Sequence, residues 1–254
     1  MLTNKEKKQI RSLQIKKYRK QYGEYLIEGA RLISSALEVE DTPLKQIYVT
    51  KAFLSNLSHQ EFIEALRKKE MPFCVVSEAD LLSITDTVQP SGIAGVCSFS
   101  HKNDIKPDDR NNWLYLFEIQ DPGNLGTLLR TAVWFDVKHI ALSPNSIDPF
   151  NAKVVRAGMG AHFHTSIFEP LELSVLKKTH TIFGGVSNGA SISSIETIEE
   201  PWILAIGSEA HGLSPEIINR LDFSVSIPKI GGGESLNAAI AGSILLYELT
   251  GQNP

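Results

Sequence analysis

The sequence predicts an α/β protein built in two parts, and three observations carry that prediction. Short apolar runs alternate with helix-patterned stretches along the whole chain. A polar, proline-containing stretch near the middle separates two such series. In the second series, several apolar runs open into turns rich in glycine, asparagine and small polar residues. The chain has 254 residues, 42% hydrophobic and 21% charged, which suits a globular protein with enough length to bury a core in each half.

Residues 1–20 hold eight basic side chains (Lys5, Lys7, Lys8, Arg11, Lys16, Lys17, Arg19 and Lys20) against a single acid, Glu6, although the whole chain carries a net charge of −4. That asymmetry predicts a local anion-binding surface, with a nucleic-acid backbone as its common target, while a solvated helix face accounts for the charge equally well. The runs "EYLIEG", "QIYVT", "FCVVS" and "IAGVCSF" then alternate with "ARLISSALEV" and "HQEFIEALRKK", which predicts a parallel or mostly parallel sheet. Cys74 and Cys97 lie in two of these runs and read as buried free thiols of a cytosolic protein, with no metal-ligand spacing. Residues 101–112, "HKNDIKPDDRNN", read as a linker between a domain at 1–100 and another at 113–254. Beyond it, "WLYLFEI", "HIALSP", "TSIFEP", "TIFGGVS", "WILAIGSE" and "FSVSIP" predict further strands. The helices "LGTLLRTAVWF", "NAKVVRAGMGA" and "SLNAAIAGSILLYELTG" fall among them. No apolar run reaches 18 residues and the charged start has no apolar core, so neither a membrane span nor a signal peptide is expected, and the location is read as cytoplasmic.

Ligands of an open α/β sheet bind beyond the carboxyl ends of its strands, so the turns are where chemistry is sought. Three stand out: "EIQDPGNLGTLLRTA" (118–132), "AIGSEAHGLS" (205–214) and "IPKIGGGESLNAAIAG" (227–242). None contains the Gly-x-x-x-x-Gly-Lys-Ser/Thr of a phosphate loop, and Gly123 and Gly126 have the wrong spacing for a dinucleotide fingerprint. Neither Ser208 nor Ser235 sits in Gly-x-Ser-x-Gly, and no spacing gives His211 a triad. His162 and His164 lack the clustered cysteines or carboxylates of a metal site, so no metal is expected.

Taken together, the three turns resemble the signature motifs of the SpoU/TrmH family of RNA ribose 2′-O-methyltransferases, in the SPOUT class. The first corresponds to Asn124, Gly126 and Arg130, and the second to Gly207, Ser208, Glu209, Gly212 and Leu213, with Ala210 where members often carry glycine. The third corresponds to Ile227, Pro228, Ser235, Leu236 and Asn237. Residues 16–37 are similar to the start of the substrate-binding domain found ahead of the catalytic domain in many members, and 148–163 to the segment between the first two motifs.

The resemblance implies a C-terminal α/β-knot domain with a deep trefoil knot and a mostly parallel sheet. A smaller N-terminal α/β/α domain like RNA-binding ribosomal proteins would precede it. True knots are almost absent from proteins, so sequence physics alone would not propose one. It further implies S-adenosylmethionine as cofactor, held around Ile206, Gly207, Ser208, Ile227 and Leu236, and a catalytic set of Arg130, Asn124, Glu209, Ser235 and Asn237. In this reading Asn124 orients Arg130, and the glycines 231–233 permit special backbone angles and close approaches. Small residues in the last helix then allow tight packing. Lys7, Lys8, Arg11, Lys16, Lys17, Arg19 and Lys20 would grip RNA phosphates. Ribosomal RNA is the expected substrate, transfer RNA the alternative, and a homodimer through the knotted domain the expected assembly. A silent RNA-binding assembly factor of the same fold is the other reading, and intact motif residues favour the enzyme.

Overall fold

The computed structural model describes residues 2–99, 110–176, 179–195 and 201–251. Residues 101–109 of the expected linker lie outside them. Each of the ten apolar runs forms a strand. In chain order the elements begin with Asn4–Ser12 (α1), Lys16–Tyr22 (α2), Glu24–Glu28 (β1), Ala30–Glu38 (α3), Leu44–Thr50 (β2), Lys51–Ser55 (α4) and Gln60–Lys68 (α5). Phe73–Val76 (β3), Glu78–Ile84 (α6), Ile93–Ser98 (β4), Trp113–Leu116 (β5), Pro122–Trp134 (α7), His139–Leu142 (β6) and Ala152–Gly158 (α8) follow. The last are Ser166–Phe168 (β7), Thr181–Ser191 (β8), Trp202–Ile206 (β9), Pro215–Ile218 (α9), Phe223–Ser226 (β10) and Ala238–Gly251 (α10).

The chain divides into two compact units, residues 1–100 with 150–163, and 101–149 with 164–254. The stretch 150–163, α8 included, thus packs with the N-terminal unit although it lies between two strands of the other. Phe150 stacks on Phe99 at 4.3 Å between ring centroids and packs against Tyr25 at 4.9 Å. The Arg156 guanidinium stands between Glu28 and Asp86.

In the first unit the sheet order is β1-β4-β2-β3, and only β2 and β3 are parallel. The expected parallel sheet is corrected here, because β4 runs antiparallel between β1 and β2. Its residues Ile93–Cys97 are all buried, so it reads as the continuous apolar run that usually marks a parallel strand. Cys97 is buried as expected, whereas Cys74, on the edge strand β3, is only half-buried. Thr3 and Glu6 close a capping box at the start of α1, with Thr3 N donating to Glu6 Oε2 at 2.7 Å.

The second unit holds a six-stranded sheet, β10-β8-β9-β5-β6-β7, in which every paired neighbour is parallel. Strands β5 and β9 are buried along their whole length, as helix-covered central strands must be. The Asn112 side chain accepts from Trp202 N at 3.0 Å and so ties the entry of β5 to that of β9. Helices α7 and α10 pack on each other where Gly242 leaves room. A Cβ there would lie 2.5 Å from Leu128 Cδ2, so glycine is what lets α10 approach α7.

Candidate functional site

From β5 the chain moves through β6 to β7 at one edge, then crosses to β8 and returns through β9 to lie beside β5. The reversal of strand order therefore falls between β5 and β9, the position where open α/β sheets hold their ligands. Leu116 and Ile206 are in register at the ends of these strands, and Phe117 N donates to Ile206 O at 2.8 Å. The first two signature turns consequently leave the sheet side by side.

Asp121 caps α7 by accepting from Asn124 N at 2.8 Å, with Pro122 in the first turn, and this fixes Asn124 one turn into the helix. Asn237 is the residue before α10. Its Oδ1 accepts from Ala239 N at 2.9 Å and Ile240 N at 3.3 Å, the bonds of a helix N-cap. With the oxygen committed to the cap, Nδ2 points outward and donates to Asn124 Oδ1 at 2.9 Å. Asn124 Nδ2 in turn donates to the Glu209 carboxylate. Three side chains, from three turns 85 and 113 residues apart, form one directional relay that ends on a carboxylate.

Beside this relay opens a cavity of about 640 Å³, within the size range of small-ligand sites. Ile206, Gly207, Ser208, Ile227 and Leu236 all line it, as do Glu209 and Ser235. Asn124, Asn237 and Arg130 do not. Gly185, Val186 and Ser187 of β8 form a wall that sequence reasoning missed, although the glycine pair in "TIFGGVS" was a signal for it. A Cβ on Gly185 would stand 2.8 Å from Leu245 Cδ1, so glycine keeps that wall clear.

The residues fit S-adenosylmethionine on two counts. The cavity combines apolar walls with the backbone of the 207–213 and 227–236 loops, and the first of those loops closes only because it begins with glycine. A Cβ on Gly207 would lie 2.1 Å from Gly212 C and 2.3 Å from Leu213 N. Ser208 O accepts from Gly212 N at 2.9 Å across that loop. Glycines 231–233 behave differently from expectation. A Cβ on any of them meets nothing within 4 Å, and only Gly233, with φ +105°, has a backbone angle that favours glycine. Close approach is the property of Gly207 instead.

Arg130 is exposed, and among the described residues it makes no hydrogen bond or ion pair. It lies six residues beyond Asn124, about 120° around the helix and about 9 Å along it. Asn124 spends its side chain on Glu209 and Asn237 and does not orient Arg130, which corrects the expectation. Arg130 shares an exposed stripe of α7 with Thr127 and Trp134, the latter 84% exposed. Thr131 joins that stripe to α10 through Ser243, 3.0 Å away, and Tyr247 of α10 is 60% exposed.

Of the predicted phosphate-gripping residues, Lys8, Arg11, Lys16, Lys17 and Lys20 are exposed on α1 and α2. Lys7 pairs with Asp80 at 2.5 Å and pins α1 to α6. Arg19 is a correction. It is 3% exposed and its Nη1 donates to Leu13 O at 2.7 Å, so it holds the α1–α2 turn together and presents no charge to solvent.

Residues 111–247 match the SpoU rRNA Methylase family, and residues 4–95 match an MRM3-like substrate binding domain. The chain is 30% identical over 253 residues to the 23S rRNA (guanosine(2553)-2′-O)-methyltransferase RlmP of Bacillus subtilis, covering 98% of this chain and 97% of that protein. It is 27% identical to human mitochondrial rRNA methyltransferase 3, over 91% of this chain and 68% of that one. Among solved structures, an AdoMet-bound rRNA methyltransferase from Sinorhizobium meliloti superposes with a TM-score of 0.84 at 26% identity, covering 100% of this chain and 97% of that chain. A TrmH-family RNA methyltransferase from Porphyromonas gingivalis superposes at 0.81 and 30% identity, covering 98% of both.

Proposed function

Because the chain belongs to the SpoU rRNA methylase family, we propose that it methylates a ribose 2′-hydroxyl of ribosomal RNA, using S-adenosylmethionine. The observation that carries this reading is the Asn237–Asn124–Glu209 relay set against the glycine-closed cavity. Bound S-adenosylmethionine supplies a methyl group made electrophilic by its sulfonium. The backbone at Ile206–Ser208, Ile227 and Leu236 would hold the cofactor. Glu209 and Ser235, on the cavity wall, would meet the incoming ribose, with Asn124 and Asn237 fixing the carboxylate. Arg130 would act as a guanidinium that polarises the hydroxyl or bridges a phosphate, and as the oxygen–methyl bond forms and the sulfur–methyl bond breaks the hydroxyl proton would pass to water. Much of the rate then comes from aligning the hydroxyl with the methyl group.

A homodimer belongs to the same proposal. A tryptophan and a tyrosine left in water on adjoining helix faces mark an interaction surface, and closing that surface on a second copy would enclose Arg130. Trp134→Glu is expected to halve the mass seen by sedimentation. The trefoil path is a further part of the reading, supported by the match of residues 111–247 to the family. So is a cytoplasmic location; among the described residues no helix is long and apolar enough to cross a membrane.

Ribose-methylation mapping of ribosomal and transfer RNA, in cells with the gene, without it and with Arg130→Ala, tests the function. One rRNA 2′-O-methyl mark should vanish in both altered strains. A lost tRNA mark would reassign the substrate, and no lost mark from a protein that still binds RNA would leave a silent RNA-binding factor. Because Arg130 does not line the cavity, Arg130→Ala should slow methylation by about 100-fold or more, the loss of a positioned electrostatic group, while S-adenosylmethionine affinity is retained.

A further inference from the structure

Helix α2 carries a feature that phosphate binding does not need. Tyr18 and Tyr22, one turn apart, stack with ring centroids 6.3 Å apart and planes within 17°. Among the described residues, neither ring belongs to the buried clusters around Tyr25 or around Leu26. Tyr22 is 38% exposed, and Ile15, immediately before the helix, is exposed as well. Lys17 Nζ lies 5.9 Å from the centroid of Tyr18, and Lys16 and Lys20 flank the pair. Gly23, at φ +63°, ends the helix directly after Tyr22 and turns the chain into β1, so the outer ring sits at a fixed point on the unit.

An exposed aromatic ring pre-stacked on a half-buried one among lysines matches a strand whose bases are free to stack and whose phosphates follow alongside. A duplex does not meet that description, since its bases are already stacked and its major groove is too deep and narrow for side chains. We infer that α2 is a stacking platform for an unpaired base of the RNA substrate, with Tyr22 as the contact ring, Tyr18 as its support, and Lys17 and Lys20 on neighbouring phosphates. This rests on the RNA-methyltransferase reading and narrows it, because it directs the N-terminal unit to a loop, bulge or single strand.

The test is fluorescence anisotropy of the full-length protein with a labelled unstructured 12-nucleotide RNA and with a duplex of the same length, over a range of salt. The wild type should favour the single strand. Tyr22→Ala should weaken single-strand binding about tenfold, leaving duplex binding and the salt slope unchanged. Tyr22→Phe should bind as the wild type, and Tyr22→Leu, apolar but without a π-face, should behave as alanine. Lys17→Gln should instead reduce the salt slope by about 0.7. The inference is overturned if the wild type shows no single-strand preference. It is overturned equally if Tyr22→Ala binds within twofold of wild type, if Tyr22→Phe fails as alanine does, or if Tyr22→Leu is neutral. Melting curves and S-adenosylmethionine titration of each variant report an intact fold. A persisting rRNA mark with normal Tyr22→Ala binding would remove only the stacking platform, whereas absent cofactor binding or an absent mark would remove the enzymatic reading.

Discussion

Replacing Gly207 by alanine should open the 207–213 loop, which is proposed to hold the cofactor. The new Cβ would lie 2.1 Å from Gly212 C and 2.3 Å from Leu213 N, where ordinary contact begins near 3.4 Å. About 1.3 Å must therefore be recovered, and both obstacles are backbone, so no rotamer change relieves them. Either the end of β9 shifts or the 207–213 loop swings out and loses the Gly212 N to Ser208 O hydrogen bond. Overpacking of this kind costs about 1–3 kcal/mol and a lost hydrogen bond about 1 kcal/mol more. If cofactor binding requires the closed loop, about 2–4 kcal/mol becomes an affinity loss of about 30- to 1,000-fold. Isothermal titration of the purified protein with S-adenosylmethionine measures it. Gly232→Ala is the steric control: it meets nothing within 4 Å at an ordinary backbone angle, and should leave thermal stability unchanged or raise it by about 0.4–1 kcal/mol. Near wild-type affinity in Gly207→Ala would refute the reasoning, as would an equal stability loss in Gly232→Ala.

Other expectations separate roles that overlap in one residue. Asn237→Asp keeps the acceptor that caps α10 but turns the donor facing Asn124 into a second acceptor, so melting temperature should hold while methylation fails. Asn237→Ala should lose both, with about 1 kcal/mol from the cap, read by denaturant titration. The Lys7 ammonium beside Asp80 holds its carboxyl below the ordinary carboxylate range, with Ser77 assisting. Its stabilising effect is thus present above the unfolded value of about 3.9 and fades as pH falls through the folded one. Asp80→Asn should be less stable than wild type at neutral pH, and the two melting curves should converge in acid. A thiol reagent should label half-buried Cys74 in the folded protein and spare Cys97, whose thiol burial pushes up.

Strand positions were legible because each buried strand is a short apolar run between polar turns, and that pattern depends on neighbours in sequence. Strand direction was not. Whether β4 runs with or against β1 depends on partners about 70 residues away, and burial on both faces removed the alternation that usually marks an antiparallel strand. The site divides in the same manner. The motif residues were visible as turns, and Asn124, Glu209 and Asn237 do converge. Which glycine was sterically required was not visible, since a crowded glycine and an open one look alike in sequence. Charge was equally blind to orientation: Arg19 stands in a run of lysines, yet the turn of a seven-residue helix carries it inward to Leu13.

The relay also has an order in time. Asn124 is made long before Glu209, and Glu209 before Asn237. A growing chain can fold its N-terminal unit's strands early, as domains do during synthesis. It holds no relay until Asn237 has left the ribosome, and α10 gains its cap at that same moment. Under the proposed function, catalysis thereby waits for the chain to leave the ribosome, and stalled chains ending before residue 237 should neither bind cofactor nor methylate.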